Sequence, residues 1–231
     1  MRKFIETKTP FLIPILRSIL YEFLKVKGRF ITTEKIFTDI YDENKWGDEE
    51  SCSGPGSSLA QTEIIRNKLP ELLKEYNILS ILDIPCGDFN WMKEVNLDSI
   101  SYIGADIVEK IILAHNKKYS KENRKFIKID ILKDELPRTD LIFCRDLFIH
   151  LSNKDILKAI ENIKKSRSKY LLVNSYTMTT KNRDIPTGRG HPINLSIPPF
   201  SFPCPLKILD EEQSGEPDKN KKLLLFEIND L

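Results

Sequence analysis

Charge of one sign is what this sequence has least to spare. Its 231 residues carry 36 Lys and Arg against 34 Asp and Glu, a net of +2. A general nucleic-acid binder needs a large basic surplus to meet phosphates, so no nucleic-acid partner is expected. Cysteine is scarce and scattered. Cys52, Cys86, Cys144 and Cys204 form no C-x-x-C pair, which argues against a zinc site and against a disulfide framework. No metal is therefore expected, and reduced thiols fit a cytoplasmic protein. An uninterrupted apolar run of the ~20 residues needed to span a bilayer is missing as well. The nearest, FLIPILRSILYEFL at 11–24, is broken by Pro14, Arg17 and Glu22, and no small-residue cleavage site follows it. Internal repeats and low-complexity tails are absent.

What is present reads as a globular chain. Apolar residues make up 40% and charged residues 30%, with a mean hydropathy of −0.33. The length suits one domain with additions. Within 11–24, Ile13, Leu16, Leu20, Phe23 and Leu24 recur at helical spacing and predict an amphipathic helix. Two uses of it stay open: packing on its own domain or on a second copy, and peripheral contact with a membrane surface, helped by Lys25, Lys27 and Arg29. Residues 1–50 read as an N-terminal helical extension and 51–231 as the main domain.

The main domain opens on a Gly/Ser/Pro loop, SCSGPGSSLAQT (51–62), predicted to feed a helix from about Leu59 to Tyr76 with Ser57 or Ser58 as its N-cap. From residue 79 short apolar runs alternate with helical segments. The runs are LSILDI (79–84), SYIGAD (101–106), KFIKID (125–130), DLIFC (140–144) and YLLVNS (170–175); helices are expected near 107–119 and 153–166. Ser152 followed by Asp155 resembles a capping box for the second helix. This alternation predicts an α/β, Rossmann-like, mostly parallel sheet with helices on both faces. Six prolines between 185 and 205 forbid a regular element there. Two late runs, LKIL (206–209) and LLLFEI (223–228), predict an antiparallel pair at one sheet edge.

Ligands of open parallel sheets bind outside the carboxyl ends of the strands, so the residues at those ends matter most. The first run ends in Asp83-Ile84-Pro85-Cys86-Gly87-Asp88-Phe89, the second in Asp106, the third in Asp130-Ile131 and the fourth in Cys144-Arg145-Asp146, with His150 one turn on. Gly87 lets the backbone approach a cofactor closely. A carboxylate ending the second strand, about 20 residues after a glycine turn, is placed to accept from ribose hydroxyls. Asp130 can accept from an exocyclic amine, with Ile131 against the ring. The turn is not the dinucleotide fingerprint G-x-G-x-x-G.

It resembles motif I of the class I S-adenosylmethionine-dependent methyltransferases, an acidic residue followed by G-x-G-x-G. Asp83 matches the acidic position and Gly87 the middle glycine, while Pro85 and Phe89 replace the other two. The resemblance extends through Asp106, Asp130 and CRDLFIHLS. More narrowly, SGPGSS, DIPCGDFNWM, CRDLFIHL and NLSIPPF look like small bacterial methyltransferases of surface-polysaccharide gene clusters.

This resemblance implies S-adenosylmethionine as cofactor, contacted by Asp83, Pro85, Cys86, Gly87, Asp106, Ile107, Asp130, Ile131 and Arg145. It implies methyl transfer to a small molecule, the hydroxyl or phosphoryl oxygen of a saccharide or saccharide precursor. Catalytic candidates are His150 and Asp146 as general base, with packing or helix capping as the other reading of His150. Arg145 either grips an anionic acceptor or pairs internally as a strut. Asn182, Arg189 and Asn194 mark a segment, about 182–205, that can cover the acceptor. SGPGSS is an anion site or a plain linker; Trp46 and Trp91 are pocket walls or core; His115 and His191 are expected to face solvent. A nicotinamide-dependent oxidoreductase and a non-catalytic binding module of the same fold are the alternatives. The first would want the longer glycine fingerprint, and the second would follow from loss of chemistry at Pro85.

Overall fold

The computed structural model describes residues 31–211 and 220–231. The amphipathic helix expected within 11–24 lies outside these residues. Seven strands form one sheet: β1 (Ser80–Asp83), β2 (Ser101–Asp106), β3 (Arg124–Lys128), β4 (Leu141–Cys144), β5 (Tyr170–Tyr176), β6 (Lys207–Asp210) and β7 (Lys221–Glu227). Their order is β3-β2-β1-β4-β5-β7-β6. The first five are parallel neighbours, while β7 runs antiparallel to both β5 and β6. The late pair thus occupies one edge as expected, with the apolar LLLF of β7 inside and the more exposed β6 outside. Four helices are described: α1 (Thr33–Asp42), α2 (Glu63–Glu75), α3 (Glu109–Lys118) and α4 (Asn153–Lys165).

Successive strand residues face opposite sides of the sheet, and each side carries its own core. Leu82, Ile142, Leu171 and Leu224 meet Ile156, Ile160 and Ile163 of α4, together with Phe37 and Ile40 of α1. Ile81, Leu141, Leu172 and Leu225 meet Ile65, Leu69 and Leu72 of α2. Continuous apolar runs in the strands are what a sheet covered on both faces requires.

Helix starts follow the side-chain chemistry in one case and depart from it in another. Ser152 caps α4, accepting from the Asp155 amide at 3.2 Å. Helix α2 begins at Glu63, later than expected, and neither Ser57 nor Ser58 is its N-cap. Pro55–Ser57 forms a separate 3-10 turn. Ser58 Oγ accepts from Gln61 N at 3.3 Å, and Thr62, in the cap position, spends its hydroxyl on the Ser58 carbonyl at 2.8 Å.

No helix or strand lies between 177 and 206. Side chains order the segment instead. Asn182 Nδ2 donates to the carbonyls of Asn194 (2.8 Å) and Pro198 (3.0 Å), and its Oδ1 accepts from Asn194 N at 2.8 Å. Asn194 Nδ2 donates to Thr179 O at 2.9 Å. Thr187 Oγ1 donates to Asp155 at 2.6 Å and so ties the segment to the first turn of α4.

Candidate active site

A cleft enclosing about 1080 Å³ of non-protein space, counting its open mouth, lies beyond the carboxyl ends of β1, β2, β3 and β4. The sheet brings Asp83, Pro85, Cys86, Gly87, Asp106, Ile107, Asp130, Ile131, Arg145, Asp146 and His150 together around it. Asn182, Arg189 and Asn194 are not among its walls. The two asparagines are used inside their own segment, as described above. Arg189 is exposed and touches the site through its backbone carbonyl only.

The turn after β1 is gripped from several sides. Gly87 has φ +52°, and a Cβ there would stand 2.4 Å from Ser53 Oγ. The glycine thus admits a neighbouring loop as well as a ligand. Ser53 Oγ accepts from Asp88 N (3.0 Å), and Ser51 Oγ donates to Asp88 (2.8 Å). Asn90 reaches Glu50 at 2.7 Å. The SGPGSS loop is therefore a fixed flap over the motif turn. From the opposite side, His115 Nε2 donates to the Gly87 carbonyl at 2.8 Å. His115 is buried rather than solvent-facing as expected, because its ring packs with Phe89, Tyr119 and Phe126. His191 is half-buried, and burial lowers its pKa.

The carboxylates differ in state. Asp106 accepts from Gly87 N (3.2 Å) through one oxygen and from Val108 N (2.9 Å) through the other. Burial pushes its pKa up to about 6 against the backbone amides of Val108, Gly87 and Ile107. A carboxylate offers about four lone-pair sites, so acceptor capacity for a ligand remains. Asp83 is buried more completely, which raises its pKa to about 7 although the Tyr102 hydroxyl donates to it. Asp130 accepts from Leu132 N (3.0 Å) and pairs with Lys133 (2.7 Å).

Asp146 and Arg145 belong to a buried ionic cluster. Arg145 donates through Nε to Glu211 (2.6 Å) and through Nη2 to the Gly56 carbonyl (3.0 Å), while Nη1 pairs with Asp146 (3.0 Å). Its side chain is 4% exposed. All three guanidinium nitrogens are thus engaged internally. These partners favour the strut over the grip on an anionic acceptor. Lys221 Nζ donates to both oxygens of Asp146, at 3.0 and 3.1 Å. Burial alone would raise the Asp146 pKa, but Lys221 and Arg145 outweigh it and hold the value down to about 2. A carboxylate so stabilised is a poor proton acceptor, which counts against Asp146 as general base.

His150 closes the cleft on the α1 side. Trp46 stacks on its ring, centroids 4.8 Å apart. His150 Nδ1 lies 3.0 Å from the Arg189 carbonyl, which can only accept, so Nδ1 carries the proton and Nε2 keeps a lone pair. Burial lowers the pKa of the ring below its ordinary 6.5. Trp46 and Trp91 both line the cleft, joined by Phe37 and Tyr41 of α1, whose part the sequence reading did not single out. Glu211 and Lys221 were missed too; both sit next to strand ends, where a charged residue bordering an apolar run was the available signal. Among the described residues, no group of three or more His, Cys, Asp or Glu side chains is placed to hold a metal ion.

No family model and no curated relative matches the sequence. Solved structures match its fold. Human N-acetylserotonin methyltransferase in complex with S-adenosylmethionine superposes with a TM-score of 0.59 at 15% identity, over 84% of this chain and 59% of that one. The N-methyltransferase NodS of Bradyrhizobium japonicum, in complex with S-adenosylhomocysteine, gives 0.59 at 14%, over 81% and 97%. The pyocyanin biosynthetic protein PhzM gives 0.56 at 12%, over 73% and 56%. The chain thus spans little more than half of the first and third and nearly all of the second. This chain has the fold of the class I S-adenosylmethionine-dependent methyltransferases.

Gly87→Ala both strains a positive φ and displaces Ser53, and should cost about 1–3 kcal/mol of stability. Adding Ser53→Gly should recover part of that loss in denaturant melts, because it removes the clash and leaves the strain. Asp106→Ala should weaken S-adenosylmethionine binding at least about tenfold, since hydrogen bonds to an ionised acceptor contribute about 1.5–3 kcal/mol each. Asp106→Asn, which preserves the shape, separates this loss from any effect of freeing the Gly87 and Val108 amides. Calorimetry that finds unchanged affinity in both folded variants would remove the ribose role. In the unmodified protein, affinity should fall as pH drops through about 6 and Asp106 takes up a proton.

Proposed function

We propose that this protein transfers a methyl group from S-adenosylmethionine to a small-molecule acceptor in the cytoplasm, and that the acceptor is a saccharide or saccharide precursor methylated on oxygen. The observation that carries the reading is Asp106. It is a buried carboxylate at the carboxyl end of β2, fixed by the Gly87 and Val108 amides on the floor of the cleft. In this reading Asp106 holds the ribose, Asp130 the adenine amine, and Ile107 and Ile131 the faces of the ring, while Asp83, Pro85, Cys86 and Gly87 shape the turn beside the amino-acid end. The saccharide assignment rests on the resemblance carried by SGPGSS, CRDLFIHL and NLSIPPF. The division into an extension, 1–50, and a methyltransferase domain, 51–231, is part of the same proposal. Thr33, Phe37, Tyr41 and Trp46 come from the extension and form one wall of the cleft. Membrane contact or self-association through residues 11–24 remains a sequence-based proposal; no helix among the described residues is long and apolar enough to cross a membrane.

The bound sulfonium supplies an electrophilic methyl group, so the difficult chemistry is the cofactor's. The chain orients the acceptor, excludes water and receives a proton. His150 is suited to the last task. Its Nδ1 proton is committed to the Arg189 carbonyl, Trp46 fixes the ring plane, and a pKa below 6.5 leaves Nε2 unprotonated at neutral pH. Asp146 keeps the neighbouring charge without competing for the proton.

Calorimetry with S-adenosylmethionine and NAD separates this reading from an oxidoreductase, and formation of S-adenosylhomocysteine with a sugar panel separates it from a non-catalytic module. Binding of NAD alone, or no turnover with any acceptor despite cofactor binding, would overturn it. His150→Gln should lower kcat by about 10²–10⁴-fold with little change in cofactor affinity. At saturating cofactor, kcat of the unmodified enzyme should decline only below a midpoint under pH 6.5, and this acid limb should vanish in the variant. A full limb persisting in His150→Gln would transfer the base role elsewhere.

A further inference from the structure

Five aspartates, Asp83, Asp88, Asp106, Asp130 and Asp146, line the cleft, against a single cationic side chain, Arg145, among the described residues. Pairing does not cancel this imbalance. Asp130 is matched by the exposed Lys133, and the Arg145, Glu211, Asp146 and Lys221 cluster sums to zero. Asp88 receives only the hydroxyls of Ser51 and Ser53 and the Asn90 amide. Asp106 receives backbone amides, among them those of Gly87 and Val108. Asp83 receives the Tyr102 hydroxyl, so three carboxylates remain with no cation beside them.

An anionic acceptor would need an accessible cation, and the only Lys or Arg among the described residues of the cleft wall is Arg145, whose side chain is 4% exposed. The three nitrogens of Arg145 are engaged with Glu211, Gly56 and Asp146, and Lys221 is engaged with both oxygens of Asp146. Arg189 stands outside the cleft walls. The accessible polar group beside His150 is instead the Asp146 carboxylate, whose side chain is 24% exposed and lines the cleft. Its backbone is held at φ +59°, with its amide on Asn174 Oδ1 at 2.7 Å, so the carboxylate is presented from a fixed position.

Resting on the methyltransferase reading above, we propose that this cleft selects acceptors that carry no negative charge, and that Asp146 is the specificity-determining group, accepting hydrogen bonds from a hydroxyl or ammonium of the acceptor while phosphorylated acceptors are turned away. Asp146 is fit for this because it cannot be neutralised near neutral pH and has no proton of its own to offer. The surrounding carboxylates act in the same sense at longer range, less so as salt screens them. Phosphoryl oxygen is accordingly removed from the acceptors considered above, and hydroxyl oxygen is left.

The test uses full-length protein loaded with S-adenosylhomocysteine and three probes of one scaffold: glucosamine, glucose and glucose 6-phosphate, near neutral pH. Dissociation constants from ligand-observed magnetic resonance should rank glucosamine tightest and glucose 6-phosphate weakest, at least about tenfold apart, with the gap narrowing in high salt. Asp146→Asn should bring the three closer together while S-adenosylhomocysteine affinity holds. The ladder on the unmodified protein decides the matter even if the variant fails to fold, since removing one member of a buried ionic cluster can be strongly destabilising. Equal or tighter binding of glucose 6-phosphate, or no binding of any probe, overturns the proposal. Calorimetry of S-adenosylhomocysteine on the same sample keeps the two readings apart. Failure there overturns the methyltransferase reading, whereas a reversed ladder on cofactor-loaded protein overturns the charge selection alone.

Discussion

The architecture around the cleft depends on one buried ionic cluster. Arg145 follows β4, Glu211 follows β6 and Lys221 opens β7, and the two cations each bridge Asp146 and Glu211. Taking such ions out of water costs several kcal/mol each, so they are tolerable only when every partner is in place. That requirement fixes register rather than stability. It aligns the antiparallel pair with the parallel sheet at the carboxyl end, where Tyr176 of β5 sits opposite Lys221. Through the Gly56 carbonyl, Arg145 also draws the 51–57 loop over the sheet. The flap, the late strands and the cleft wall therefore share one set of charges.

The remaining carboxylates impose an opposite condition. Asp83 and Asp106 have folded-state pKa values of about 7 and about 6, above the ordinary carboxylate value. A group whose pKa rises on folding keeps more protons folded than unfolded, so stability falls as pH climbs from about 4 through those values. At neutral pH the unliganded site is thus held at some cost. A sulfonium or ammonium beside these carboxylates would favour their charged forms and recover part of that cost. The proposed binding would thus be coupled to folding through the same buried groups.

Much of this was legible in the sequence, for reasons of period and position. Continuous apolar runs such as LSILDI and YLLVNS can hide only in a sheet covered on both faces, and an aspartate closing such a run falls at the mouth of the fold. Asp83, Asp106 and Asp130 were found that way, and the Ser152 cap from its three-residue spacing to Asp155. What escaped depended on contacts between distant segments. Nothing near Arg145 in sequence reveals Glu211, 66 residues away, and so the choice between strut and anion grip stayed open. His115, surrounded by Lys and Asn, gave no sign that its ring would close on Phe89 and donate to Gly87. Asn182 and Asn194 have the composition of a ligand-binding loop, but in a segment with six prolines the same amides are needed to satisfy the backbone.

The departure at the glycine turn resolves in the same physical terms. A Pro and a Phe stand where glycine-rich turns carry their outer glycines, yet the backbone at Phe89 still takes φ +60°. For an L-residue that conformation costs roughly 1–2 kcal/mol. Phe89 offsets it by packing: it is 1% exposed, with the rings of Tyr102, His115, Tyr119 and Phe126 within 6 Å. The conformational freedom of glycine is thus replaced by tertiary contacts. Gly87 is harder to replace in this way, because Ser53 Oγ stands where a Cβ would go. Its amide is held by Asp106 and its carbonyl by His115. A turn constrained at its amide, its carbonyl and its α-carbon has little entropy left to lose when a ligand arrives, and preorganisation of that kind is what the proposed cofactor role asks of a glycine-poor loop.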